Sequence, residues 1–469
     1  MTACALGEYK GNLLISTQEI TDQEGVSEVE FSNNIGKINT NLTIGENTQE
    51  LIRLQANLGL SFQGVILSGE GFRLTKEDLQ SLGIQAHQLP EVIKPYLIGR
   101  DLVQNPQNRW VIDFYGITQQ EAFLQYPALY QILLDKVKPI RDQQKRKANR
   151  EHWWLFAEKR PEFRKSLQSL TRYIATCRTA KHRIFTFLNS AILPDAKLIA
   201  ITLDDSYYLG ILSSQIHVLW SLRTGAFLGV GNDSNYNHSD CFMKFPFPTP
   251  SETLKQQIRD LGERLDNHRK TVQANHPDIT LTGMYNLLEK MQKEEPFSAP
   301  DQAYNNRALV SILRQIHDEL DTAVFAAYGW PENLTEGEIL ERLVDLNLER
   351  AEEEKNGLIR WLRPDYQAPD QITTQPEIEG IEIEDIAPIT PVELQKFPTT
   401  FKEQLTAIRE LLRTQNREWT IEQIDSQFSG TKKTKAIANC LEILEELGLV
   451  ISHEESSKKS YYAAELQQN

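Results

Sequence analysis

Lys136, Lys138, Arg141, Lys145, Arg146, Lys147 and Arg150 place seven cations in fifteen residues, a density suited to holding a polyanion. The enrichment continues to Arg183. Residues 136–183 hold fifteen lysines and arginines against four acids, a local net of +11. The whole chain of 469 residues carries −15, so everything outside this island sums to −26. A surface that gathers cations while the rest of the molecule repels anions receives its partner in one place. Most charge runs are simply solvated faces, but few are this segregated. Trp153, Trp154, Phe156, Phe163 and Tyr173 lie within the island. Adjacent side chains on a strand face opposite sides, so at least one of Trp153 and Trp154 is expected in the core rather than as a base-stacking platform.

The elements that must position these residues form an α+β multidomain chain. Residues 1–60 read as short strands and loops, and the opening apolar run Ala3–Leu6 looks like the end of a fold. Residues 61–250 read as mixed α/β. Trp110–Tyr115, Arg172–Thr176, Arg183–Leu188, Lys197–Leu203 and Tyr207–Leu212 are strand candidates, rich in β-branched and aromatic residues. Glu121–Lys138 reads as a helix interrupted by Pro127, and Ser213 as the N-cap of a helix over Gln215–Arg223. Residues 251–363 are helical. Leu309, Ile312, Leu313, Ile316, Leu320, Val324 and Ala327 recur at helical spacing, and Thr335 with Glu338 makes a capping box. Residues 364–398 are an acidic linker expected to be disordered. Residues 399–469 read as a winged helix. Its helices run over Phe401–Thr414, Ile421–Phe428 and from about Lys432 to Leu447, with a turn at Ser429-Gly430 and wing strands at Leu449–Ile451 and Tyr461–Tyr462.

The composition excludes several classes. No apolar run approaches the ~20 residues that cross a bilayer, so no membrane partner is expected. Cys4, Cys177, Cys241 and Cys440 are far apart, which argues against a disulfide framework and a structural zinc. The expected compartment is a reducing cytoplasm.

An ordered series of motifs then carries a resemblance. Asn105-Pro106 stands with Trp110-Val111-Ile112-Asp113-Phe114, Val137-Lys138-Pro139 with Arg141-Asp142, and Trp153-Trp154 before Phe156. Arg172–Thr176, Ala180-Lys181-His182-Arg183, Leu193-Pro194-Asp195, Gly210–Ser214, Gly229–Asp233, Phe245–Pro248, Tyr328–Pro331 and the helix Glu338–Arg350 follow. Over residues 1–365 this resembles the C-terminal part of the MmeI-like class I DNA methyltransferases, relatives of single-chain type II restriction–modification enzymes. The resemblance implies the terminal strands of a methyltransferase fold over 1–60, a mixed α/β target recognition domain over 61–250 and a helical domain over 251–363. It also implies double-stranded DNA as a partner and adenine N6 as the methylated atom, with S-adenosylmethionine as the methyl donor of full-length members.

On that footing Lys136, Lys138, Arg141, Lys145, Arg146, Lys147 and Arg150 are expected at the DNA backbone. Three loops are expected at base edges: Arg178, Lys181, His182 and Arg183; Asp204 and Asp205; and Asn232 and Asp233 in a loop running to His238. The chemistry suits that use, since Arg pairs with guanine, Asn with adenine, and Asp accepts from the cytosine amine. Asp204-Asp205 is equally a plain turn, and His182 equally a structural histidine. Lys432, Lys433 and Lys435 open the presumed recognition helix of the winged helix. Glu442, Glu445 and Glu446 make docking on a protein as reasonable there as duplex binding.

Catalytic residues are not expected. Amino-methyltransferases of this kind hold the target amine with an Asn-Pro-Pro-aromatic motif, and Asn105-Pro106-Gln107-Asn108 lacks the second proline and the aromatic. Phe227-Leu228-Gly229-Val230-Gly231 imitates a methyl-donor loop but lies far downstream of where one belongs. Asp195-Ala196-Lys197 imitates the end of a nuclease metal site without a partner acid. The expectation is therefore a target-recognition polypeptide with no bound cofactor or metal, inactive alone and served by a separate methyltransferase chain. The alternatives are a non-enzymatic regulator binding DNA through its winged helix, and a truncated relic.

Overall fold

The computed structural model describes residues 11–21, 27–36, 51–104, 107–227, 233–369, 397–398, 400–414, 419–426, 428, 434–446, 450–455 and 458–463. The chain forms two compact units, Met1–Gly380 and Ile381–Asn469. Residues 370–396 of the expected linker lie outside the described residues, but its start is ordered rather than disordered: Pro364–Gln367 is a short helix and Ala368 is buried. Asn105-Pro106, Asn232, Lys432, Lys433 and the turn at Ser429-Gly430 also lie outside the described residues.

The first unit opens with an antiparallel hairpin of Gly11–Thr21 and Ser27–Gly36. These strands, 11 and 10 residues long, exceed the short ones expected. Two four-stranded sheets follow. One has the order Leu193–Pro194, Ile93–Leu97, Arg109–Ile112, Arg73–Leu74, and its first pair is parallel. The other has the order Ser61–Gln63, Leu198–Ile201, Arg172–Cys177, Phe185–Asn189 and is antiparallel throughout.

The second sheet is the centre of the unit, and strand periodicity explains how. Along Arg172–Cys177, Tyr173, Ala175 and Cys177 enter one core while Ile174 enters the other. Leu198 and Ala200 likewise join the first, and Ile199 and Ile201 the second. Successive side chains point to opposite faces, and here both faces are apolar, so the sheet is buried on both sides. One face packs against the first sheet, the helices Gln119–Gln125 and Pro127–Lys136, and the aromatic residues of the basic island. The other packs against the helices Glu252–Asn275, Leu281–Gln292, Val310–Ala327 and Glu336–Lys355. One continuous core therefore joins the sheet to the helical segment across residue 250.

Tyr207–Leu212, expected as a strand, lies inside a helix, Ser206–Ser213. Asp205 caps it by accepting from the Tyr207 N–H at 2.9 Å. A short run apolar on every side carries no period that separates strand from helix, and the Asp-Ser start was the overlooked cue. This helix crosses Glu252–Asn275 at a pair of glycines. A Cβ on Gly262 would lie 2.3 Å from the Ser206 carbonyl, and one on Gly210 would lie 2.8 Å from Ile258 Cγ2. The helix Gln215–Thr224 is capped at Ser214 rather than Ser213, and its first N–H donates to Asp321 Oδ1 at 2.7 Å. Val310–Ala327 buries Leu313, Ile316, Leu320 and Val324 as its spacing predicts, while Leu309 and Ile312 are exposed. The Thr335–Glu338 capping box is present.

The second unit has helices Phe401–Thr414, Ile421–Ser426 and Thr434–Glu446 and an antiparallel hairpin of Val450–Glu455 with Lys458–Ala463. Ile408, Leu412, Trp419, Ile424, Ile437, Leu441 and Tyr461 form its core. The middle helix ends at Ser426, two residues before the expected Phe428, and the hairpin strands are longer than expected.

Candidate nucleic-acid interface

The basic island folds as short helices, Lys138–Asp142, Lys147–Glu151 and Pro161–Ser166, laid over an aromatic floor. Trp153, Trp154, Phe156 and Phe163 are all buried, so both tryptophans are core and neither is a stacking platform. Trp154 donates its indole N–H to the Ile117 carbonyl at 3.1 Å. Buried aromatics thus hold the helices that carry the cations.

Those cations do not all face solvent. Arg141, expected at the DNA backbone, is 0 % exposed. It donates to the carbonyls of Leu67 at 2.7 Å and Leu155 at 3.0 Å, and its guanidinium sits over the Phe72 ring. Buried amide oxygens need donors, and Arg141 supplies them; it is a structural residue. Arg150 turns back on the carbonyls of Gln144 and Lys145. Lys138, Arg146 and Lys147 are paired with Asp142, Glu158 and Glu151 at 2.6, 2.7 and 3.4 Å. Such surface pairs are weak and exchange readily. Lys136 and Lys145 are exposed and have no ion-pair partner among the described residues. The island therefore presents less free charge than its composition promised.

The loop Arg178–Arg183 is built differently. The strand Thr179–Ala180 pairs with Ser234–Asn235, and the Tyr236 N–H donates to the Arg178 carbonyl at 2.6 Å. Arg183, expected at a base edge, is buried. It donates to Ser234 O and Ser234 Oγ at 3.0 Å each and to the Cys177 carbonyl, and lies over the Tyr236 ring. Its task is to tie the two strands together beneath the arm. That leaves Arg178 and Lys181 exposed and His182 half-buried at the surface. Lys181 Nζ lies 2.8 Å from Asn286 Oδ1 and 2.9 Å from Glu289 Oε2, both on the helix Leu281–Gln292. His182 Nε2 lies 2.8 Å from the same Asn286 oxygen. Lys293 and Lys181 pull the Glu289 carboxyl down to about 2, so it stays ionised as their counter-charge. Burial, with Lys181 nearby, lowers the proton affinity of His182 and keeps the ring neutral near pH 7.

These residues border a cleft of about 620 Å3. Lys181, His182 and Asp233 line it with Arg73, Arg100, Gln104, Asp195 and Lys197. Four cations and two acids thus meet at one opening, a net positive concavity with donors and acceptors mixed. Arg73 sits over the Tyr96 ring, and Tyr96 donates to Asp195 Oδ2 at 2.5 Å. The other Asp195 oxygen accepts from the Lys197 backbone N–H at 2.8 Å, so this carboxylate is committed to its turn. Among the described residues no group of three or more His, Cys, Asp and Glu could hold a metal ion.

Asp204 and Asp205 do not reach this cleft. Asp205 caps its helix and meets Arg259 in two bonds of 2.8 Å, which makes it structural. The Asp204 carbonyl accepts from Arg172, at the far end of the strand whose other end, Cys177, lines the cleft. Five residue steps along the strand separate those ends by roughly 16 Å. Sequence reasoning missed Arg73, Arg100 and Gln104, and weighed Lys197 only within a rejected nuclease motif. Isolated cations in strands and short helices give no local signal; only the fold brings them together. Lys435 is exposed at the start of its helix.

Residues 44–249 match the family model of the MmeI target recognition domain. This stretch is similar to the MmeI target recognition domain. It contains Arg73, Arg100, Lys181, His182, Lys197 and Asp233, while Asn286 lies beyond it in the helical segment. Among solved structures the chain is similar to MmeI, a type IIL restriction–modification enzyme determined in complex with DNA. The match has a TM-score of 0.53 at 18 % identity and covers 70 % of this chain and 40 % of that one. The chain thus spans less than half the length of that structural relative. No curated protein matches it.

Proposed function

We propose that this chain binds duplex DNA through the cleft between the arm Arg178–His182 and the segment Arg73–Gln104, and reads a short base sequence there. The observation that carries the reading is that four cations distant in sequence, Arg73, Arg100, Lys181 and Lys197, line that opening within the stretch similar to the MmeI target recognition domain. Lys197 and Arg178, exposed and without ion-pair partners among the described residues, contact phosphates, as do Lys136 and Lys145. Lys181, His182 and Asp233 approach base edges.

The polypeptide serves an adenine-specific (N6) methyltransferase or restriction–modification enzyme. The Asn-Pro-Pro-aromatic motif does not occur within residues 1–469, and the proposed source of the methyl donor S-adenosylmethionine and the catalytic groups is a methyltransferase domain or chain outside them. The target adenine must leave the stack for that chemistry. Three helices followed by a two-stranded hairpin support a winged helix in the second unit. The cytoplasm is the compartment we propose for a DNA-binding chain of this kind; among the described residues no helix is long and apolar enough to cross a membrane.

Filter binding of the full chain to a duplex across a salt series tests the proposal. Affinity should fall linearly with the logarithm of salt. Lys197→Ala should weaken binding to all sequences alike and reduce the slope by about 0.9. Absent or salt-insensitive duplex binding overturns the reading.

A further inference from the structure

The contact between the recognition arm and the helical segment fixes the hydrogen-bonding character of one residue in the cleft. An ammonium only donates, so the Asn286 atom 2.8 Å from Lys181 Nζ must be the amide oxygen. His182 Nε2 lies 2.8 Å from the same atom. A nitrogen facing an oxygen that cannot donate must itself carry the proton. The neutral His182 ring therefore has its proton on Nε2 and a lone pair on Nδ1. Nδ1 has no hydrogen-bond partner among the described residues, and His182 lines the cleft. The Tyr285 ring, centred 6.0 Å away, and the Asn286 bond hold the imidazole in place.

A fixed acceptor in a cationic cleft has few possible partners on DNA. Phosphate and sugar-ring oxygens only accept, so they cannot satisfy it. The donors that a duplex offers in its grooves are the exocyclic amines of its bases: adenine N6 and cytosine N4 in the major groove and guanine N2 in the minor groove. We infer that His182 reads the exocyclic amine of a base, and that Asn286, held by Lys181, is the positioning residue that sets the tautomer with which it does so. This rests on the proposed DNA binding and gives that site its chemistry. The sequence leaves His182 equally placed as a structural histidine. Its place on the cleft wall is what distinguishes the two roles: His182 is half-buried beside an opening, whereas a core histidine such as His217 is wholly enclosed.

Duplexes selected from a randomised pool by the full chain provide the probe. Each selected position is then replaced by an analogue lacking its amine: unsubstituted purine for adenine, pyrimidin-2-one for cytosine, hypoxanthine for guanine. One substitution should weaken wild-type binding about tenfold, and its identity names the base. His182→Ala should bind that substituted duplex and its parent equally, with the salt slope of the wild type. Asn286→Ala should lose the same discrimination, and Asn286→Asp, whose carboxylate still accepts from both neighbours, should retain it at pH 8. The inference fails if no amine deletion changes wild-type affinity, or if His182→Ala discriminates as the wild type does. Duplex binding without any sequence selection also overturns it while leaving the proposed DNA binding standing. No binding to any duplex overturns both.

Discussion

Arg141 and Arg183 carry charge into the interior, and neither meets a carboxylate there among the described residues. Their partners are carbonyl and hydroxyl oxygens that would otherwise lie buried without donors. Truncation at Arg183 removes the bridge between Cys177 and Ser234 and leaves a cavity over Tyr236. Arg183→Ala should lower unfolding stability by about 3 kcal/mol, read from the urea midpoint at constant slope. Buried histidines set the acid limit. His217 is fully enclosed and His317 half-buried, and burial lowers both to about 3. Arg269 donates to the Tyr285 hydroxyl, and that hydroxyl shares a hydrogen bond of 2.8 Å with His317 Nε2. An unfolded histidine binds a proton below about pH 6.5. The folded ones refuse it, so unfolding takes up protons below that pH. Stability is complete above pH 6.5 and falls as pH drops toward 3. Between pH 6 and 5, the slope of log unfolding constant against pH should be shallower in His317→Gln by nearly one proton.

At the scale of elements, the helix pair Ser206–Ser213 and Glu252–Asn275 couples the central sheet to the helical segment. Its close approach depends on Gly210 and Gly262. Alanine at a helical glycine ordinarily stabilises by roughly 0.5–1 kcal/mol. At Gly262 the added methyl meets backbone at 2.3 Å, and backbone cannot swing aside. Overpacking costs typically about 1–3 kcal/mol, so the clash wins. Gly262→Ala should lower the melting temperature, whereas Gly337→Ala, with open space around the added methyl, should not. Elements with strong local signals were legible in the sequence. Phe401–Thr414 matches to the residue, and the Thr335 box formed because a cap needs only four neighbouring residues. Tyr207–Leu212 was not legible, since a run apolar on all sides fits any buried element.

At the scale of the molecule, the two units differ in what they would offer DNA under the proposed function. The first holds the cleft and the stretch similar to the MmeI target recognition domain; the second holds Lys435 on a helix that also bears Glu442 and Glu445. Ending the chain after Gly380 should leave duplex affinity and its salt slope within about twofold of the full chain, by filter binding. A large loss would assign the grip to the second unit and favour the regulator reading. The recognition family was legible because its motifs recur in order along the chain, and order survives without coordinates.

The sequence by itself determined the charge segregation, the strand and helix types with clear periods, and the likeness of residues 44–249 to the MmeI target recognition domain. Only the tertiary structure decided which cations are free. Arg141, Arg150 and Arg183 look the same in sequence as Lys136, Lys145 and Arg178. A guanidinium's role depends on whether it finds buried oxygens or water, and those oxygens come from residues far away in the chain. The cleft has the same origin: Arg73, Arg100, His182, Lys197 and Asn286 span more than two hundred residues and meet because a sheet buried on both faces brings its loops to one end.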